Sequence, residues 1–248
     1  MLLLVDAGNT RVKWAIAEPG AAPGQWREQG AVTHAQLDRL PALWSGHDIA
    51  AAIISNVGGA ALRAELSAVL PQVPIEWFAS SAERAGLRNA YRNPGQLGSD
   101  RFAAALGART LEPGKALVVA TCGTATTIDA VSADGVFVGG MILPGLALMA
   151  GSLARGTAQL PQATPGAAPP PLFADNTNDA IVSGCISAQA GAIERAMAAH
   201  GGGACIISGG AAQYIAPALT VSHRIADNIV LVGLHAAAHA NPMWGSPC

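Results

Sequence analysis

Charge is scarce in this chain: only 12% of its 248 residues are Asp, Glu, Lys or Arg, and the formal net charge is −2. A protein that coats a nucleic acid needs a basic stripe, and none is present, so no nucleic-acid partner is expected. Long apolar runs are lacking as well. Stretches such as Ala50-Ala51-Ala52-Ile53-Ile54 fall well short of the roughly 18 residues of a membrane span. No basic segment precedes the apolar N-terminus, as a secretory signal would require, and the expectation is a cytoplasmic protein without a membrane partner. The four cysteines, Cys122, Cys185, Cys205 and Cys248, form no Cys-x-x-Cys pair and no cluster with histidine, which argues against a zinc site and a disulfide scaffold. Cys122 reads as a small buried hydrophobe, since no base accompanies it. What the chain has in quantity is apolar side chain, 51% hydrophobic by count, enough for a large globular core.

Where charge does appear, its placement is informative. The apolar run Leu2-Leu3-Leu4-Val5 delivers Asp6 into Ala7-Gly8-Asn9-Thr10, followed by Arg11, Val12 and Lys13. Gly8 is expected to take φ > 0 and admit a ligand close to the backbone, and turn amides form a concave nest for phosphate oxygens. A carboxylate repels bare phosphate, so the expected partner of Asp6 is Mg²⁺, which takes one or two carboxylates together with phosphate oxygens. An ordinary β-hairpin turn accounts for the same residues equally well. The segment carries neither a Walker Gly-Lys-Ser/Thr nor the three-glycine dinucleotide fingerprint.

The scheme returns once. Lys115 to Cys122, Gly123-Thr124-Ala125-Thr126-Thr127-Ile128-Asp129-Ala130 again reads apolar strand, glycine turn, β-branched strand, so the chain is expected to be two similar halves. Ala133-Asp134-Gly135 predicts a further hairpin turn, and Pro19-Gly20 ends the strand Val12 to Ala17. Strands are predicted at Ile49 to Ser55, Ile75 to Phe78 and Ala204 to Ile207. Helices are predicted at Ala60 to Leu70, at Ser99 to Leu111 with Ser99 as N-cap and Phe102, Ala105 and Leu106 on one face, at Thr177 to His200, and at Asp227 to His239 with Asp227 as cap. Alternating strands and helices predict α/β layering with helices on both faces of the sheets. The stretch Gln162 to Pro171 is proline-rich and predicts a surface loop. A helix from Pro144-Gly145 to Arg155 is expected to be entered through Gly139-Gly140, where backbone approaches another element.

Two further clusters carry candidate chemistry. Gly98-Ser99-Asp100-Arg101 follows a loop with Tyr91, Arg92 and Asn93, a polar density that stands out in so uncharged a chain. Asp100 in a first helical turn is also favoured by the helix dipole whatever its role. Ile206-Ile207-Ser208-Gly209-Gly210-Ala211 runs a strand into a diglycine, either a surface for a flat adenine or ribose or a tight strand-to-helix turn.

In these motifs the sequence resembles the type III pantothenate kinases, of the superfamily that includes acetate kinase, sugar kinases and actin. The resemblance rests on Asp6 to Thr10 with Lys13, on Tyr91 and Gly98 to Arg101, on Gly123 to Asp129, on Gly139 to Gly145, on Asn176-Thr177 and on Gly209-Gly210-Ala211, in family order over residues 1 to about 235. It implies a duplicated ribonuclease H-like, actin-like ATPase fold, with halves 1–113 and 114–248 and a cleft between them for ATP and substrate. The implied reaction transfers the γ-phosphoryl group of ATP to the 4′-hydroxyl of pantothenate, the first step of coenzyme A biosynthesis. Carried over by position, Asp6 holds Mg²⁺, and Asp6, Ala7, Gly8, Asn9, Thr10, Arg11, Val12, Lys13, Gly123 and Thr124 bind ATP and its phosphates. Asp100 is the general base. Tyr91, Gly98, Ser99, Asp100, Arg101 and Thr177 surround pantothenate, Arg101 opposite its carboxylate, and Gly209 and Gly210 line the adenosine side. A homodimer is implied too.

One departure bears on cofactors. The family often has aspartate two residues before the second turn's glycine, a ligand for an activating K⁺ or NH₄⁺, and here that residue is Thr121; weak monovalent-cation dependence is the expectation. Asp129 reads as structural. His235 and His239, four apart on a helix and without a metalloprotease glutamate, read as exposed or partly buried. The alternative to an enzyme is a non-catalytic accessory factor supporting transcriptional activation, which shares the architecture; intact Asp6, Lys13, Asp100, Arg101 and Thr124 argue for the enzyme.

Overall fold

The computed structural model describes residues 1–166 and 168–241; Cys248 and Ala167 of the proline-rich stretch lie outside them. Two compact units result, one of Met1–Pro113, Gly135–Phe137 and the chain from Asn228 onward, the other of Gly114–Asp134 and Val138–Asp227.

The first unit opens with β1 (Leu2–Ala7), β2 (Arg11–Ala17) and β3 (Glu28–Thr33), then a 3-10 segment, His34–Arg39, that runs into α1 (Leu40–Trp44). β4 (Ala51–Asn56), α2 (Gly59–Val69), β5 (Ile75–Phe78), the short β6 (Glu83–Arg84) and β7 (Leu87–Asn89), and α3 (Ser99–Leu111) follow. The sheet order is β3-β2-β1-β4-β5, antiparallel on the β2 side and parallel on the β4 side. Side chains alternate along a strand, and the row Leu3, Val5 and Ala7 packs with Trp14, Ile16, Leu40, Trp44 and Leu66. The opposite face therefore receives Leu4 and, at the strand end, Asp6. Lys13 and Ser55 sit directly beside Asp6 in register, so all three end on one face.

The second unit contains β8 (Leu117–Cys122), β9 (Ala125–Val131), most of β10 (Val136–Pro144), α4 (Leu146–Gly156), α5 (Thr177–Ala199), β11 (Ala204–Ser208), α6 (Ala212–Ile215) and β12 (His223–Ile225). Its strand order is β12-β11-β8-β9-β10, with β8 and β9 antiparallel and β11 parallel to β8. Val118, Ala120 and Cys122 bury one face under Ala190, Ile193 and Met197 of α5 and Ile215 of α6. The first two residues of β10, Val136 and Phe137, belong to the first unit and pair with β7.

The chain then returns to the first unit as α7 (Ile229–His239), which packs on α3. The two helices meet backbone to backbone: a Cβ on Gly107 would strike Ile229 O, and one on Gly233 would strike Ala103 O. Phe102, Ala105 and Leu106 are buried as expected for a shared core face, and burial extends further, to every residue from Arg101 through Ala108. Three local expectations change. The N-cap of α3 is Gly98 and Ser99 is helical, its hydroxyl bonded instead to Ser55 at 2.8 Å. α7 begins after Asn228, held at φ 52, with no side-chain cap from Asp227. Gly139 and Gly140 lie inside β10, and the close backbone approach falls at Gly145. His235 is fully buried whereas His239 is exposed, their Nε2 atoms 3.1 Å apart. Among the described residues no helix is long and apolar enough to cross a membrane.

Candidate active site

The first glycine turn is a hairpin. Ala7 pairs with Val12, and the Gly8 amide donates to Arg11 O at 3.1 Å, closing the loop that carries Asn9 and Thr10. The hairpin reading of this segment is the one the structure bears out. The expected φ > 0 at Gly8 is not found, because the tight i to i+3 closure is made with ordinary backbone angles. A Cβ at Gly8 would meet only Arg11 O at 3.4 Å, so the fold itself does not demand glycine there. The Gly8 carbonyl accepts a hydrogen bond from His34 Nε2 at 2.9 Å; a carbonyl can only accept, so that nitrogen carries the proton. Asn9, Thr10 and Arg11 are left exposed.

Asp6 lies opposite Lys13 at the root of this turn. Its pKa rises from 3.8 to about 7, chiefly because burial penalises the charge; Lys13 pulls it down and Asp100 pushes it up. Asp6 therefore feels both Lys13 and Asp100, all three in the first unit. A hard oxygen donor that resists carrying its own charge suits a small divalent cation, which supplies the missing counter-charge. No group of three or more His, Cys, Asp or Glu side chains able to hold a metal occurs among the described residues. Mg²⁺, held by one or two carboxylates plus water and phosphate oxygens, is the ion that such a sparse donor set fits.

Asp100 occupies the first turn of α3, where its Oδ1 accepts from the Arg101 amide at 2.8 Å. Its pKa is raised by burial, against the pull of that amide and of the Arg101 guanidinium. A Cβ on Gly98 would lie 2.7 Å from Asp100 Oδ1, which explains the glycine: it makes room for the carboxylate. Arg101 is buried, donates to the Tyr91 hydroxyl at 2.9 Å, and packs over the rings of Tyr91 and Phe137. Tyr91, Gly98, Ser99, Asp100 and Arg101 are thus one contiguous cluster. Three supporting residues escaped sequence reasoning, Ser55 and Phe137 beside this cluster and His34 beside the first turn. Ser55 is the polar interruption of the apolar β4 run, a signal that was available; His34 and Phe137 act through tertiary contacts and leave none.

In the second unit Cys122 pairs with Thr126, and the Gly123 amide donates to Ala125 O at 3.0 Å. A Cβ on Gly123 would meet only Ala125 O at 3.6 Å. The turn is propped from α4: the Gly145 amide donates to Thr124 O at 3.0 Å, and a Cβ on Gly145 would strike Gly123 O and Thr124 O. Thr126 donates to buried Gln189 at 2.7 Å, and Gln189 donates to Pro144 O at 3.2 Å, tying turn, β10 and α5 together. Thr121 Oγ1 is buried without a hydrogen-bond partner among the described residues. Cys122 is buried, its thiol pushed up to about 12 by desolvation, in keeping with an inert core cysteine.

The remaining candidates divide. Gly209 has φ +95, and a Cβ there would strike Cys122 O, which is the tight-turn reading. Gly210 faces open space. Thr177 begins α5 after Asn176, which caps the helix by accepting from the Asp179 amide. It lines a cavity of about 820 Å³ with Pro144, Met149, Asn176, Ile181 and Cys185.

The family model described as type III pantothenate kinase matches residues 2–199. A curated type III pantothenate kinase of Herminiimonas arsenicoxydans is 55% identical over 251 residues, covering 96% of this chain and 97% of that protein. Among solved structures, a Campylobacter jejuni protein assigned to the Baf family of transcriptional activators matches with a TM-score of 0.61 at 21% identity, covering 97% of this chain and 99% of that one. A ROK family glucokinase from Streptomyces griseus, solved with glucose and AMPPNP, matches with a TM-score of 0.51 at 15% identity, covering 96% of this chain and 98% of that one. The structural likenesses show the fold, the duplicated ribonuclease H-like α/β fold of actin-like ATPases and sugar kinases.

Proposed function

Since this chain belongs to the type III pantothenate kinases, we propose that it transfers the γ-phosphoryl group of ATP to the 4′-hydroxyl of pantothenate, an early step towards coenzyme A. The observation that carries the reading is desolvated Asp6, paired in register with Lys13 and within electrostatic reach of Asp100, at the root of the exposed turn Asn9-Thr10. The accessory-factor alternative gains nothing from the Baf-family likeness, which at 21% identity speaks for fold alone.

Asp100 is the general base. Burial holds its carboxyl above the usual carboxylate range, which brings a proton acceptor closer to neutral pH. It need not deprotonate the alcohol fully, because a loose phosphoryl-transfer transition state relies mainly on alignment and charge. Arg101, fixed by Tyr91 and Phe137, meets the pantothenate carboxylate, and Gly98, Ser99 and Thr177 complete the substrate's surroundings. Asp6 holds Mg²⁺, whose charge neutralises phosphate oxygens when it is bound. Gly8, Asn9, Thr10, Arg11 and Lys13, flanked by Ala7 and Val12, face the phosphates from the first turn, and Gly123 and Thr124 from the second. Gly8, Gly123 and Gly210 support this assignment, because packing does not explain the absence of their side chains. The adenosine side is assigned to Gly210, with Gly209 shaping the turn beside it.

Residues 1–113 and 114–248 are proposed as the duplicated halves. A cytoplasmic homodimer is proposed as the working form, supported by apolar side chains left exposed on the second unit, among them Val138, Ile142, Leu172 and Phe173. Weak dependence on K⁺ is proposed from Thr121.

The test is an ATP- and Mg²⁺-dependent assay with pantothenate, comparing wild type with Asp100→Asn. Phosphopantothenate from wild type and loss in the variant are expected. A pure wild-type protein that forms none, or a fully active variant, overturns the reading.

A further inference from the structure

We propose that His34 is a positioning residue for the reaction: its imidazole holds the first glycine turn in the shape that receives the phosphates of ATP. The inference rests on the reading that the Gly8 to Arg11 turn binds those phosphates.

The turn has two backbone handles at Gly8. Its amide is used inside the hairpin, on Arg11 O at 3.1 Å. Its carbonyl is held by His34 Nε2 at 2.9 Å, a partly buried contact across 26 residues of sequence. The orientation of a peptide plane fixes both its carbonyl and the next residue's amide, because the six atoms of the unit are coplanar. Holding the Gly8 carbonyl therefore aims the amide of Asn9, the first exposed residue of the turn, on the opposite side of the same plane. Glycine allows many backbone conformations, so without this contact the Gly8 plane is free to rotate and the turn loses its preorganised shape. His34 is itself well placed to act as an anchor. It opens the 3-10 segment His34–Arg39 directly after β3, and the preceding Thr33 forms a reciprocal capping box with Gln36. Space around the same carbonyl is limited: a Cβ on Gly58, just after β4, would come within 3.3 Å of Gly8 O. The donor role is met by either the Nε2-protonated neutral ring or the imidazolium.

The experiment compares His34→Phe, which keeps the ring volume and removes the donor, with His34→Gln, whose amide nitrogen restores a donor at similar reach. The expected result is a rise in KM for ATP of roughly tenfold in His34→Phe, the size of effect of one lost hydrogen bond to a positioned group. KM for pantothenate and Tm are expected to stay near wild type, and His34→Gln to return KM for ATP to within about twofold. Lys13→Ala is run alongside. If Lys13→Ala raises KM for ATP while His34→Phe leaves it unmoved, the positioning role is wrong and the phosphate turn stands. If neither variant moves it, the phosphate-turn reading itself fails. A His34→Phe protein in which KM for pantothenate and Tm shift together with KM for ATP, unrescued by glutamine, shows a merely structural histidine and also overturns the proposal.

Discussion

In the first hairpin the residue two before the glycine is Asp6, opposite Lys13; in the second the same place holds Thr121, opposite Thr127. Each turn closes on its own glycine amide, the first on Arg11 O three residues on at 3.1 Å and the second on Ala125 O two residues on at 3.0 Å, so the second loop is one residue shorter, and each glycine could carry a Cβ without a clash inside the fold. They differ in charge and in what props them. The first is charged and held through its Gly8 carbonyl by a side chain, His34; the second is neutral and held through its Thr124 carbonyl by a backbone amide, Gly145. The duplicated scaffold thus carries a charged turn on one copy and a neutral turn on the other.

The sharpest way to break that division is to remove the charge assigned to proton transfer. Asp100→Asn is expected to lower kcat by about 10²–10⁴-fold, the usual contribution of a positioned general base, with KM for ATP little changed. A steady-state comparison of the two proteins decides it, and a loss confined to KM would contradict the assignment.

Asp6 gives the next effect, on stability as well as activity. Its pKa in the folded protein is about 7 against 3.8 for the free group, so the folded state holds a proton that the unfolded chain gives up between these values. The folded state binds more protons in that window, and stability therefore falls as pH rises from about 4 to about 7. At about 1.36 kcal/mol per pH unit the loss is at most ~4 kcal/mol, less whatever solvent screening recovers; the pull of Lys13 is already contained in the folded value. Urea unfolding in EDTA at pH 5 and pH 8 reads it, and Asp6→Asn is expected to flatten the slope. A slope that survives in the variant belongs to some other group. The same variant is expected to lose most of its Mg²⁺-dependent turnover.

Gly145→Ala probes the neutral hairpin alone. The added methyl would strike Gly123 O and Thr124 O, so the second turn must shift; a KM for ATP raised about tenfold, the scale of one misplaced hydrogen-bonding group, is expected, with Asp100-dependent chemistry intact. An unchanged KM would mean that the second turn does not contact the nucleotide.

The ease with which each part could be read follows the same divide. Asp6, Lys13, Asp100 and Arg101 stood out because charge is rare in this chain and each lies beside a glycine turn. Strand positions followed from apolar runs bounded by turns, as at Ile75–Phe78, found with its boundaries intact. His34 and Gly145 were opaque because each meets a backbone carbonyl, and a carbonyl has no signature in sequence. Ser99 looked like an N-cap by residue type, yet Ser55 on β4 takes its hydroxyl. The all-round burial of α3 depended on α7, delivered from more than a hundred residues away. Gly8 was assigned the left-handed backbone its residue type permits, but a short hairpin closure did not need it.

The smallest expected effect tests the neutrality of the second hairpin directly. Thr121 Oγ1 is buried with no hydrogen-bond partner among the described residues, so an oxygen is present where a monovalent cation would look for one. A single neutral hydroxyl cannot offset the cost of dehydrating K⁺ as a carboxylate does, since the Coulomb attraction of a full charge is missing. Raising K⁺ at constant ionic strength is therefore expected to change kcat by less than about twofold, well under 1 kcal/mol. Thr121→Asp is expected to restore the dependence, because it gives the second hairpin the carboxylate that Asp6 gives the first. A steep K⁺ activation of the unaltered protein would show that charge at this position is not what the cation requires, and the contrast between the two hairpins would then lie in loop length and in what props them.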